Sequence, residues 1–435
     1  MLEPQSQSLV LQRRETRAAW RAIFGTWLGW MFDGFDLTIP LILVTPISAA
    51  FFPGDQLASL IAFYGSYLTT LLARPLGALF WGNYADKSGR KKALVSTVIG
   101  FTSATGLTGL LPTYVQAGVL APAGYVLLRI LTGFFAGGEW ASGQPLSMEL
   151  MRKGRISGFV QSGYPFGYLL TAAAFTGTFA LLGPGEFQVL GWRIMFLFGF
   201  IPALLAIYVR RGMPESHIWE EKSKLQTMKT QPYVDLFRNH WKKFLQALMV
   251  LTGLMYCYYA VMAFYPKYLG TYLKIPGGPF GPLVMIITAW NILGYLSAGF
   301  LAEKGRKLTL LLFSSIGVVV TLPLLLYMAA NPTFTTVALA GGLIAFFVVA
   351  GWGVTPIYLA ERFPTMVRAS GAGFVYNGGL LVGSWALIIV PSLSPLFGGG
   401  AMGVTWSLGL NTILGLSLVV AGTLLGPETS KLNME

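Results

Sequence analysis

Residues 74–92 read RPLGALFWGNYADKSGRKK, and residues 291–307 read NILGYLSAGFLAEKGRK. Gly77 matches Gly294, Gly82 matches Gly299, Ala85 matches Ala302 and Asp86 matches Glu303, each pair 217 positions apart. The second copy drops one residue before Gly305-Arg306-Lys307. A second set supports the first, since Glu149, Arg155 and Gly158 are echoed by Glu361, Arg368 and Gly371. The offset is half the chain, so the sequence reads as two copies of one unit.

The solvent of that unit follows from composition. Of 435 residues, 54% are apolar and only 11% charged, where a soluble chain carries about 25% charged residues. Stretches 93–128 and 371–427 hold no Lys, Arg, Asp or Glu. A soluble globule is excluded, and the lipid bilayer is the expected medium. Runs near the 20 or so residues needed to cross it fall at 19–43, 57–82, 93–111, 121–146, 157–182 and 190–209. Six more fall at 244–270, 280–301, 309–329, 334–359, 369–393 and 402–425, making twelve. The first run is too long and too acidic for a cleaved signal peptide.

The net charge of +13 fits cytoplasmic loops, and no nucleic-acid partner is expected. Putting both termini in the cytoplasm leaves 25 Lys and Arg on that side and only Arg193, Lys267 and Lys274 outside. Both repeat copies then lie on cytoplasmic loops, which makes the repeats parallel about an axis along the membrane normal. The expected architecture is all-α and integral to the plasma membrane, with twelve transmembrane helices. They form two six-helix bundles, 1–210 and 244–435, related by a pseudo-twofold axis and joined by a charged cytoplasmic linker, 211–243, with a short helix. Cys257 is the only cysteine, and His217 and His240 lie in that linker. No disulfide, Cys-based zinc cluster or metal site is expected.

Six plus six spans around GNYADKSGRKK at 82–92 resemble the major facilitator superfamily over the whole chain. RILTGFFAGGEW at 129–140, PES at 214–216, ERFPTMVR at 361–368 and PET at 427–429 extend the resemblance to its sugar-porter and metabolite:proton symporter branches. DGFD at 33–36, RP at 74–75 and GGEW at 137–140 are more similar to organic-acid and sialate-type symporters than to hexose carriers. The resemblance implies a conformational latch built from Gly82, Asp86, Gly89 and Arg90. Glu149, Arg155, Glu303, Arg306, Glu361 and Arg368 belong to the same gating group. The loop also reads independently, as a tight glycine turn with an acid able to tie the halves together and a basic cluster at anionic headgroups.

Five ionisable residues fall inside spans: Asp33, Asp36, Arg74, Arg129 and Glu139. Each costs about 2.5–3.5 kcal/mol or more if it faces lipid at mid-depth, so all should face inward and pair. Depth along the helices groups Asp33 and Asp36 with Arg129 toward the outside and Arg74 with Glu139 toward the inside. Two carboxylates on one helix face beside one arginine suit a proton site. In related sugar:proton symporters the acid of the GFD-like position pairs with the helix-4 arginine, and that position here is Asp36. A static salt bridge is the alternative. Arg74 either neutralises Glu139 or, like Arg129, grips a substrate carboxylate.

Polar and aromatic residues within the spans give the substrate candidates Gln161, Tyr164, Tyr256, Tyr259, Asn291, Trp352, Tyr376 and Asn377, with Arg74 beside them. Tyr265 and Tyr358 are expected to bond neighbouring helices or to sit at the headgroup belt. Gln161 lies where sugar porters place a substrate-binding Gln, but their helix-7 Gln and Asn signature is replaced by MYCYYAVMAFY, which weakens a hexose assignment.

The absence of a Gly-Lys-Ser/Thr phosphate loop argues against an ATP-driven pump, and no nucleophile–base pair suggests an enzyme. The expectation is a monomeric, cofactor-free secondary transporter working by rocking-bundle alternating access, with the proton as coupling ion and a small organic acid as substrate. The alternatives are a proton-coupled sugar or polyol symporter of the same fold, or a uniporter.

Overall fold

The computed structural model describes residues 4–88, 90–137, 147–148, 151–201, 232–364 and 367–432. Every regular element among them is helical. Helix α1 (Pro4–Ile42) turns by 63° into α2 (Val44–Phe51), and α3 (Gln56–Ser88), α4 (Arg90–Thr108) and α5 (Leu120–Ala136) follow. Helix α6 spans Gly154–Glu186 and α7 spans Trp192–Leu197. After residue 231 come α8 (Trp241–Ala260), α9 (Gly277–Leu301), α10 (Arg306–Ala330) and α11 (Phe334–Val349). Then come α12 (Thr355–Arg362), α13 (Arg368–Gly383), α14 (Ala386–Leu393) and α15 (Gly400–Leu425).

Among the described residues eight helical stretches are long and apolar enough to cross a membrane, or nine with the bent α1–α2 pair. The expected fourth span is described only to Gly137 and the sixth only to Ile201. The large apolar side chains divide as a bilayer demands. Leu76, Val115, Leu181, Val319 and Leu425 face outward, while Trp192, Phe51, Tyr168 and Tyr268 are buried. With lipid outside, burial alone gives helices little reason to associate, and close backbone approach takes over.

That approach is clearest where α6 meets α9, a seam between helices before residue 202 and helices after residue 231. A Cβ at Gly158 would lie 2.7 Å from the Tyr295 carbonyl oxygen, and one at Gly299 would lie 2.8 Å from the Gly158 Cα. Only glycine lets these two helices touch at this crossing. The second seam brings α3 against α13 and α14.

Three of the later spans break where the sequence carries Pro or Gly. The run after α8 turns at Val261–Phe264 and resumes as Tyr265–Lys267 with Pro266 in its first turn. Helices α11 and α12 are joined by a 3₁₀ turn, Ala350–Val354, containing Gly351 and Gly353, with Pro356 opening α12. Helix α13 ends at Gly383 before α14 resumes at Ala386. Non-helical backbone at membrane depth is tolerated where it lines a cavity or is buried in protein. Of the two fates expected for Tyr265 and Tyr358, Tyr358 shows the bond to a neighbouring helix: both rings are buried, and the Tyr358 hydroxyl donates to Gln246 at 3.0 Å.

Candidate functional site

Between the two seams lies a small cavity, with about 30 Å³ open to the centres of water molecules. Its wall is Trp30 and Leu37 from α1, Gln161 and Tyr164 from α6, and Met255, Tyr258 and Tyr259 from α8. Tyr295 of α9, Trp352 of the 3₁₀ turn and Tyr376 of α13 complete it. Both parts of the chain contribute, so relative movement of those parts would open or close it. The rings are mutually inclined: Trp30 to Tyr164 with centroids 5.2 Å apart, Trp30 to Tyr376 at 6.1 Å and Trp352 to Tyr376 at 6.3 Å.

Protein–protein contacts lie on both sides of this chamber. Toward one end, the Tyr168 hydroxyl donates to the Met262 carbonyl at 3.3 Å and Phe175 meets Phe280 edge-on at 5.2 Å. Toward the other, Gln161 Nε2 donates to Thr355 at 3.1 Å and the Ile357 N–H to Ser157 at 3.3 Å. Beyond these, Arg152 Nε donates to Glu361 at 2.8 Å, and Arg306 holds the same carboxylate through Nε at 3.2 Å and Nη2 at 3.0 Å. Glu361 also accepts from Thr429 at 2.8 Å, while Arg152 reaches the Leu432 carbonyl at 2.7 Å. Contacts among the described residues thus narrow the chamber on both sides.

The expected gating residues thus divide. Glu361 and Arg306 sit in this lock. Arg155 contributes its backbone N–H to Glu303 at 3.1 Å, and Arg368 donates to the Ala360 carbonyl at 2.8 Å. Arg152, which the repeat did not single out, makes an ion pair with Glu361 that joins the two parts of the chain among the described residues. Glu428, also missed, caps α10 by accepting from the Arg306 and Lys307 N–H groups at 2.9 and 3.0 Å. Gly89 and Glu149 lie outside the described residues, as do the side-chain surroundings of Gly82, Asp86 and Arg90.

The buried charges of the first helices correct the pairing read from depth. Asp33 forms its salt bridge with Arg74 of α3 and not with Arg129. Arg74 therefore has an acidic partner on α1, while Glu139 lies outside the described residues. The Tyr376 hydroxyl stands within hydrogen-bonding reach of the same guanidinium, so this pair backs directly onto the cavity wall. Asp36 points elsewhere. Three residues separate it from Asp33, which is about 300° around the helix, leaving the two side chains some 60° apart and aimed at different neighbours.

Asp36 is 1% exposed and Arg129 wholly buried. The Thr105 hydroxyl and the Arg129 guanidinium are polar neighbours of Asp36, yet neither closes a hydrogen bond to its oxygens. Arg129 donates one bond, Nη2 to Thr108 at 3.0 Å, and packs over the Tyr125 and Phe196 rings at 5.6 and 5.5 Å. Its Nε and Nη1 have no acceptor among the described residues. Opposite charges facing each other without contact, away from water, are expensive to maintain and respond to protonation.

Of the substrate candidates, Gln161, Tyr164, Tyr259, Trp352 and Tyr376 line the cavity. Tyr256 does not; its hydroxyl donates to Asn411 at 2.5 Å. Asn377 bonds its own helix, at the Gly373 carbonyl 2.9 Å away. Asn291 is buried one turn from Tyr295 with both amide atoms lacking partners among the described residues. Trp30, Leu37, Met255 and Tyr295 were missed, while Tyr258 reads in the sequence only as one of the polar residues of the run MYCYYAVMAFY, which Met255 opens. Among the described residues no cluster of His, Cys, Asp and Glu could hold a metal.

A family model described as "Major Facilitator Superfamily" matches residues 24–325. The chain is 30% identical over 373 residues to the shikimate transporter of Escherichia coli K12, covering 83% of this chain and 85% of that one. It is 27% identical to the sialic acid transporter NanX of the same organism, covering 87% and 88%. Its backbone matches the xylose transporter XylE of E. coli in a partially occluded inward-open conformation, with a TM-score of 0.74, 17% identity and coverage of 95% and 99%.

Proposed function

The chain belongs to the Major Facilitator Superfamily, and from that premise we propose that it moves a small organic acid together with protons by rocking-bundle alternating access. That it is a multi-pass membrane transporter of metabolites and not an enzyme follows from the family and its relatives. The proposal adds the coupling ion, the substrate class and the twelve-helix arrangement in two bundles with both termini cytoplasmic.

One observation carries it: Asp36 of α1 and Arg129 of α5 are buried, opposed and unjoined, and α1 also contributes Trp30 and Leu37 to the cavity wall. Protonating Asp36 removes one charge and leaves Arg129 to find another partner, so the two protonation states favour different packings of α1 on α5. A carrier needs that link between a titrating group and a two-state element. The organic-acid relatives support the substrate class.

The test is a proteoliposome uptake screen of lactate, sialate, aromatic acids and pentoses under an imposed pH gradient, with Asp36→Asn alongside the parent. Asp36→Asn should abolish accumulation and spare counterflow exchange of the same solute. Equal loss of both would make Asp36 structural, and accumulation of pentoses alone would replace the acid by a neutral sugar.

A further inference from the structure

Basic side chains at the Glu361 end of the assembly divide into two kinds. Arg152 and Arg306 hold Glu361, Lys307 and Arg368 donate to backbone carbonyls, and Arg362 donates to Gln246 of α8 at 2.9 Å. Arg238, Lys242 and Lys243 differ: their side chains have no ion pair and no hydrogen-bond acceptor among the described residues. They are close in the chain, and the sequence holds no Asp or Glu between Asp235 and Glu303.

These three cations stand where the chain enters the bilayer. The short helix Pro232–Asn239 carries Arg238 in its last turn, and the apolar span opens at Trp241. The His240 N–H donates to the Leu236 carbonyl and the Phe244 N–H to that of His240, which carries the helical turn across the junction. Phe237, Trp241 and Leu245, four residues apart, therefore fall on one side, each about half exposed. They form an apolar stripe bordered by the cations, and the Lys242 ammonium lies over the Trp241 ring at 5.7 Å. Such a border puts apolar surface against acyl chains and charge among headgroups. Helix α8 also begins without a side-chain cap, so its first N–H groups add positive potential at the same place.

Packing holds this corner in shape. Leu236 is wholly buried, and Phe237 meets Phe244 of α8 and Phe374 of α13 edge-on at 5.2 and 5.6 Å. Groups presented by packed elements lose little freedom when a ligand arrives.

We infer that this corner binds an anionic phospholipid of the adjoining leaflet, its phosphate held by Arg238, Lys242 and Lys243 and an acyl chain lying along Phe237, Trp241 and Leu245. A free phosphate would use the cations and leave the stripe bare, whereas a lipid uses both. The inference is independent of the solute carried and of the coupling ion.

The experiment is native mass spectrometry of the full chain in detergent, titrated with phosphatidylglycerol or phosphatidylcholine of the same acyl chains. The parent should retain phosphatidylglycerol about tenfold more tightly. A triple variant, Arg238→Gln with Lys242→Gln and Lys243→Gln, should erase that preference. A second triple variant, Lys153→Gln with Lys304→Gln and Lys431→Gln, removes the same charge from exposed positions at the same end and should keep it. Melting temperatures without added lipid should stay near the parent's for both, which separates lost binding from lost folding.

A parent without preference for phosphatidylglycerol would overturn the inference. Equal loss in the two triple variants would do the same, by reducing the effect to net charge. Displacement of the lipid by millimolar inorganic phosphate would overturn it too, since the ligand would then be a free anion.

Discussion

Asp33 and Arg74 are a buried pair, 2% exposed each, and such pairs are retained for reasons other than net stability. Removing one member strands the other charge, at a cost of about 3–5 kcal/mol. Arg74→Gln should therefore lower the melting temperature in detergent strongly. Asp33→Asn combined with Arg74→Gln should recover most of that loss while uptake stays impaired, because Tyr376 loses the guanidinium beside it. A double variant that transports normally would show that the pair is architectural. Asp36 and Arg129 behave differently at this scale. They share no hydrogen bond to break, so Asp36→Asn should cost less stability than Arg74→Gln, although it leaves the buried Arg129 charge unopposed, and should act mainly on coupling.

At the scale of elements, the α6–α9 crossing and the Arg152–Glu361 bond hold one side of the chamber shut. Arg152 is partly exposed, with a side-chain accessibility of 32%, and a partly exposed ion pair contributes roughly 1 kcal/mol or less. That is too small to matter for folding and large enough to shift a balanced conformational equilibrium several-fold. Ser157 is wholly buried at this seam and Cys257 is buried elsewhere, so a maleimide probe has little background. Ser157→Cys should label several-fold faster once Arg152→Gln is added, and an unchanged rate would remove Arg152 from the lock. Gly158→Val should be harsher, since its Cβ would press on the Tyr295 carbonyl. Assembly should persist while transport is lost.

For the whole molecule, coupling fixes the sign of the pH response. If a proton enters with each solute molecule, lowering the outside pH at constant inside pH loads the carrier on the side where solute binds. Uptake should then rise as external pH falls, and a protonophore should abolish accumulation but not equilibration. A rate independent of the pH gradient would make the protein a uniporter.

The sequence determined the solvent, the helical class, the internal repeat and the family. Each depends on composition and periodicity along the chain, and those survive without knowing which helix lies beside which. It also identified Asp33, Asp36, Arg74 and Arg129 as charges that lipid would not accept. Depth already set Asp36 near Arg129, whereas the pairing of Asp33 with Arg74 was decided by the tertiary structure. Depth along a helix fixes height but not rotation, and some 60° of rotation sends Asp33 to α3 and Asp36 toward α5. The cavity wall shows the same limit. Trp30 and Met255 read as ordinary apolar residues until α1, α8 and α13 converge on one chamber. Tyr256 and Asn377 carried the right chemistry on faces that turn away from it.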